Sequence, residues 1–316
     1  MSLRHLTQLT AAMLFAGTTI GVATSHATEG LDAAGRCVGD QNDDGTVTIN
    51  ELIVGVNNAL DGCAYQPVTI NFRAAVGSES FACGSTYNGI GTTGATIEPS
   101  DFRFYVSDVR LVTADGTEVA VQLDQDGIWQ LDDVALLDFE NKDAPCTNGT
   151  TQTNGTVRGR VPMGEYTGLR FALGVPPDKN HQDASVAQSP LNLTGMFWSW
   201  QDGYKFVRID TANDQLRIHV GSTGCVYGEP GQVSGCARPN RAEIRLAPFD
   251  ASSNTVVADL AALLADSDIT ANQPATPPGC MASPDDQDCA PMLRNLGLHF
   301  PEGLPNFVTQ KFFRVE

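Results

Sequence analysis

Histidine is scarce in this chain: 5 in 316 residues, and two of them, His5 and His26, fall within the first 27. Tryptophan is scarcer still, at 3. Basic residues are few as well, 19 Lys+Arg against 37 Asp+Glu, a formal charge of −18. That balance excludes a nucleic-acid or anionic-membrane surface, since both need a basic face. After the N-terminus no apolar run approaches transmembrane length. No C-x-x-C is present, which argues against a thiolate–zinc or iron–sulfur site. P-loop, G-x-S-x-G and H-E-x-x-H motifs are missing too, and no carboxylate spacing singles out an acid–base pair. The sequence gives no reason to expect an enzyme.

Hydrophobic residues are not lacking. At 41% of the chain they can form a packed core. Residues 1–27 carry Arg4, an apolar stretch from Leu9 to Val22 and a small-x-small end at Ser25-His26-Ala27. This pattern reads as a secretory signal peptide, and the protein is expected to be periplasmic or secreted. Cleavage after Ser25 would instead leave His26 as an N-terminal copper chelate; cleavage after Ala27 is the better signal. All eight Cys follow the signal, and an even count in an exported chain favours disulfides. Sequence alone does not choose among the pairings. The working expectation is in order: 37–63, 83–146, 225–236 and 280–289.

Residues 40–51, DQNDDGTVTINE, fit a calcium loop of EF-hand type. Asp40, Asn42, Asp44, Thr46, Thr48 and Glu51 supply oxygen at the ligand positions, and Gly45 sits at the sharp turn. Leu52, Val56 and Leu60 then follow at helical spacing. The segment resembles one half of a dockerin repeat. The expected organisation is a signal over 1–27, a calcium segment over 28–66 and a β-rich domain over 67–316.

From Val68 onward apolar residues alternate with period two: Val68, Ile70, Phe72 and Ala74; Phe102, Phe104 and Val106; Leu169, Phe171, Leu173 and Val175; Leu216, Ile218 and Val220; Ala242, Ile244 and Leu246. Asp-Gly and Asn-Gly turns separate these runs. The pattern predicts a mainly β protein, an antiparallel sandwich or barrel with a few short helices. Helices are expected over 256–265 and 291–296.

Three His remain after the signal: His181, His219 and His299. His219 lies on the strand side opposite Leu216, Ile218 and Val220. Between His181 and His219 stands Met196-Phe197-Trp198-Ser199-Trp200, where a strand would send Met196, Trp198 and Trp200 to one side. A core stripe is the ordinary reading of such residues.

Several segments in order, DFRFYVSDVRLV, GEYTGLRFALGVP, Asn180-His181, PLNLTGMFWSWQDGYKFVRID, HVGSTGC and CMASPDDQDCAPMLRNLGL, resemble the MbnP-like copper-binding proteins, a four-Cys-motif group that also includes CorA-like and MopE-like proteins. The resemblance runs from about Asn71 to Glu316. It implies a non-enzymatic copper protein in which a partner di-haem enzyme of MbnH/MauG type oxidises a Trp to kynurenine. His181 and His219 would then be copper ligands, and Trp198 or Trp200, with Trp200 favoured, the modified residue. Met196 and Met281 are possible thioether neighbours. The chemistry has a reason: an indole N–H can only donate, whereas opening the ring frees an amine with a lone pair. The alternative is a calcium-stabilised extracellular module that binds carbohydrate or protein through its loops.

Overall fold

The computed structural model describes residues 46–61, 64–228 and 232–316. The chain divides into two units between Cys63 and Ala64. In the first, Ile49–Asp61 is a helix. Thr48 and Glu51 close its start as a capping box: the Glu51 carboxylate accepts from the Thr48 N–H at 2.7 Å, and the Glu51 N–H donates to the Thr48 hydroxyl at 3.3 Å. Leu52, Ile53 and Val56 on this helix are exposed. Asp40, Asn42, Asp44, Cys37 and Cys63 lie outside the described residues, as does the proposed signal.

The second unit is a β-sandwich. One sheet runs in the order Phe313–Val315, Thr255–Asp259, Tyr65–Val76, Thr156–Pro162 and Gln122–Leu123. The other runs Ala242–Leu246, Gly168–Leu173, Pro99–Val112, Val207–Thr211, Arg217–Val220 and Gly279–Cys280. Val134–Asp138 pairs with the opposite edge of Pro99–Val112. The apolar rows of both sheets meet in one core that includes Ile70, Phe72, Phe102, Phe104, Phe171, Ile218, Val220 and Ile244. Period-two alternation thus found the inner faces correctly.

Four expectations are corrected. The sheets are mixed, since Tyr65–Val76 runs parallel to Thr255–Asp259 and Arg217–Val220 parallel to Gly279–Cys280. The helix expected over 256–265 begins only at Leu260; β-branched Thr255, Val256 and Val257 form a strand, and Asp259 caps Leu260–Leu264 by accepting from the Ala261 and Ala262 N–H groups. The helix expected over 291–296 spans Cys289–Asn295. Val175 leaves the row of Leu169, Phe171 and Leu173, because Gly174 has φ of +119° and turns the chain. Val175 joins a second core on the outer face of the larger sheet, with Tyr105, Leu136, Leu191, Met196, Tyr204 and Phe206.

Among the described residues three of the expected disulfides are present: Cys83–Cys146, Cys225–Cys236 and Cys280–Cys289. They suit an oxidising compartment. No helix among the described residues is long and apolar enough to cross a membrane.

Candidate metal centre on the outer face of the larger sheet

Alternation that sends Phe102 and Phe104 inward sends Asp101, Arg103 and Tyr105 outward. The register aligns Arg103 with Asp138 on one neighbouring strand and with Arg208 on the other, and then Arg208 with His219. The result is a row of charged side chains across four strands, covered by the second core and the loops above it. Asp101 is fully buried. It accepts from Arg103 Nε at 2.8 Å and pairs with Arg208 Nε at 3.0 Å. Arg208 Nε also donates to Asp210 at 2.9 Å, and its Nη1 donates to the Gly195 carbonyl at 2.7 Å.

His219 ends this row. Its Nε2 lies 2.6 Å from Asp210 Oδ1. Burial alone would raise the Asp210 carboxyl, but its hydrogen bond and charge interactions with His219 and Arg208 overcome that and hold it at about 2. An ionised carboxylate only accepts, so Nε2 carries the proton. In the neutral ring the lone pair therefore sits on Nδ1, which is buried and without a hydrogen-bond partner among the described residues. A carboxylate that fixes one ring nitrogen while the other stays bare is the arrangement that metal-binding imidazoles use.

His181 follows the four-residue helix Pro177–Asn180, where Pro177 suits the first helical position. Lys179 on this turn is held by Asp133 and Asp178. His181 Nδ1 lies 2.9 Å from the Trp200 carbonyl, which can only accept, so Nδ1 is protonated and Nε2 bears the lone pair. Asn180 Oδ1 accepts from the Tyr204 N–H, which orients its amide so that Nδ2 donates to His181 Nε2 at 3.1 Å. Asn180 is one functional residue that the sequence reading did not weigh by itself; Asp210 and Arg208 are two more.

The Trp198–Trp200 segment is not one flat strand. Met196 closes a 3₁₀ turn, Phe197–Ser199 pairs with Gly203–Tyr204, and Trp200 begins the turn between them. The expected one-sided stripe is therefore broken. Met196 is buried in the second core, whereas Trp198 and Trp200 are half-buried. Asp202 closes the turn with Ser199, and Gly203 takes φ of +76° under the Asn180 amide, where a Cβ would come within 2.6 Å.

Trp198 lies against Gly221, where a Cβ would approach the indole to 2.6 Å. Lys205 Nζ stands 5.8 Å from the Trp198 ring centre and donates to the Gly195 carbonyl. Burial, then the nearby Arg208 charge, push the Lys205 ammonium down to about 8. Trp200 meets Tyr227 edge to face at 5.7 Å.

The site residues thus fall into two groups joined by the tryptophan hairpin. His181 is tied to Trp200, while Trp198 packs on the segment that follows His219. The two imidazoles make no hydrogen bond to each other among the described residues. His299 is exposed and lies in a separate turn. Met281 is half-buried. A group of His181, Cys225 and Cys236 has suitable spacing for a cation, but the two sulfurs are bonded to each other and offer no thiolate in this state.

Two carboxyls at the other end of the row, Asp138 and Glu140, each keep one buried oxygen without a hydrogen-bond partner among the described residues. Burial is the main cause that pushes Asp138 up to about 8, with Arg103 opposing and Glu140 and Asp101 reinforcing; Glu140 is raised as well. Between an unfolded value of about 3.9 and that folded value, the native state keeps a proton that the unfolded chain has lost, so stability falls as pH rises through this window. Asp138→Asn should remove that slope. In urea unfolding at pH 5 and pH 8, the variant should gain on the parent at the higher pH; a constant difference would contradict the assignment.

Residues 65–282 match the family described as MbnP, which is more than half of the chain. The chain belongs to the MbnP family. Among solved structures it is similar to MbnP from Methylosinus trichosporium, at 30% identity and a TM-score of 0.70, with 80% of this chain and 98% of that one covered. No curated protein matches.

Proposed function

We propose that this protein is an exported, non-enzymatic copper-binding protein. Its ligands are His181 and His219, together with an aryl amine produced when a partner di-haem enzyme opens Trp198 or Trp200 to kynurenine. The observation that carries this reading is the bare Nδ1 of His219, a buried lone pair whose ring is held by Asp210. Imidazole suits copper, and the second lone pair, on His181 Nε2, faces only a neutral amide donor and a disulfide sulfur. Half-buried indoles beside both histidine segments support a tryptophan-derived ligand. Trp200 is the better placed, since its own carbonyl orients His181.

Protein isolated from its native host should carry copper, and His181→Ala/His219→Ala from the same host should carry none. Equal copper in the two would contradict the reading. The loop at 40–51 we read as a separate calcium site, in which Glu51 would give up its cap on Thr48 to bind the cation.

A further inference from the structure

The disulfide hairpin beside His181 points to a second, redox-gated metal site. We infer that reduction of Cys225–Cys236 creates a two-thiolate, one-imidazole site for a soft d10 cation, with His181 Nε2 as the nitrogen ligand. Strands Thr223–Tyr227 and Val233–Arg238 pair with each other, and Cys225 stands directly opposite Cys236. Cys236 Sγ is 3.4 Å from His181 Nε2, and that nitrogen and both sulfurs all lie within 4.8 Å of one another. The tautomer set by the Trp200 carbonyl turns the His181 lone pair toward these sulfurs. The donor atoms are therefore gathered already: the sulfur–sulfur bond withholds the two thiolates, and the Asn180 amide must give up its hydrogen bond to Nε2 when the cation binds.

Access separates this disulfide from the other two among the described residues. Cys225 and Cys236 are both half-buried, whereas Cys280 and Cys289 are fully buried and Cys83 is tied to a fully buried Cys146. An exposed disulfide is the one open to exchange. The reductant is a dithiol: it gives two electrons and two protons to the sulfur–sulfur bond and becomes a disulfide itself. Each new thiol then loses its proton as it binds the cation. Two thiolates and one imidazole form a soft donor set of the kind that selects Cu(I).

This site shares His181 with the copper reading above but needs neither His219 nor a modified tryptophan. The test accordingly uses full-length His219→Ala protein from a host that lacks the di-haem partner. The protein is reduced with a phosphine without air, freed of it, and titrated with Cu(I) in competition with a chromophoric chelator. Reduction should add one equivalent of Cu(I) with a thiolate-to-copper band in the near ultraviolet. That equivalent should be missing from reduced Cys225→Ser/Cys236→Ser, which keeps every other Cys, and should bind about tenfold more weakly or worse in His181→Ala. Capping the reduced parent with iodoacetamide should remove it too, which covers a serine variant that fails to fold.

Equal Cu(I) uptake by the reduced parent and the serine variant would overturn the inference, as would unchanged affinity in His181→Ala. A Cys225–Cys236 bond that resists the phosphine in the folded protein, read by alkylation and peptide mass, would overturn it as well. Failure of the His181–His219 reading shows separately, as missing copper in oxidised native protein.

Discussion

Asp210→Asn is expected to weaken copper binding by about tenfold to hundredfold while leaving the fold intact. The carboxylate accepts from His219 Nε2 and so keeps the lone pair on Nδ1. An asparagine amide can turn its NH₂ toward Nε2, which moves the imidazole proton to Nδ1 and blocks the ligand atom. His219→Ala removes the ligand outright and sets the floor of the series. Competition titrations should rank parent, Asp210→Asn and His219→Ala in that order. Asp210→Asn binding as tightly as the parent would show that Asp210 does not position the imidazole.

Asp101→Ala should be the most damaging single change to stability. Asp101 is fully buried, accepts from the Arg103 guanidinium and forms an ion pair with Arg208. Its removal leaves Arg103 without its buried ion-pair partner and Arg208 with Asp210 alone, and breaking a buried pair in this way costs roughly 3–5 kcal/mol. Asp101→Asn keeps an acceptor and should cost less. Urea unfolding with the disulfides intact measures both; a loss below about 1 kcal/mol for Asp101→Ala would show that water reaches the row. The row also supports the candidate site, since Arg208 joins Asp101 to Asp210 and thereby to His219.

How much of this was legible in the sequence follows from which half of each strand was read. Alternation in DFRF and LRIH puts Phe102, Phe104 and Ile218 on the core side, and VRID, which the apolar rows above do not include, puts Ile209 there by the same rule. The same alternation places Asp101, Arg103, Arg208, Asp210 and His219 on the other side, and mixed charges there in three successive β segments were the available signal for the buried row. Only His219 was taken from it. What a single chain could not show was register, because the pairing of Arg103 with Arg208 and of Arg208 with His219 depends on which strands become neighbours. The tryptophan segment failed for a local reason: Asp202-Gly203 marked a turn, and its closure by Ser199 and Asp202 pulls Trp200 out of the strand. His181 was found by resemblance, whereas its link to the Trp200 carbonyl and to the Cys225–Cys236 hairpin is a product of the tertiary fold.

The measurement that tests the account most directly is peptide mass spectrometry of native-host protein across Phe197–Lys205, with metal analysis of the same sample. The account predicts one tryptophan, Trp200 before Trp198, converted to kynurenine, with copper present. Both indoles intact and no copper would contradict it.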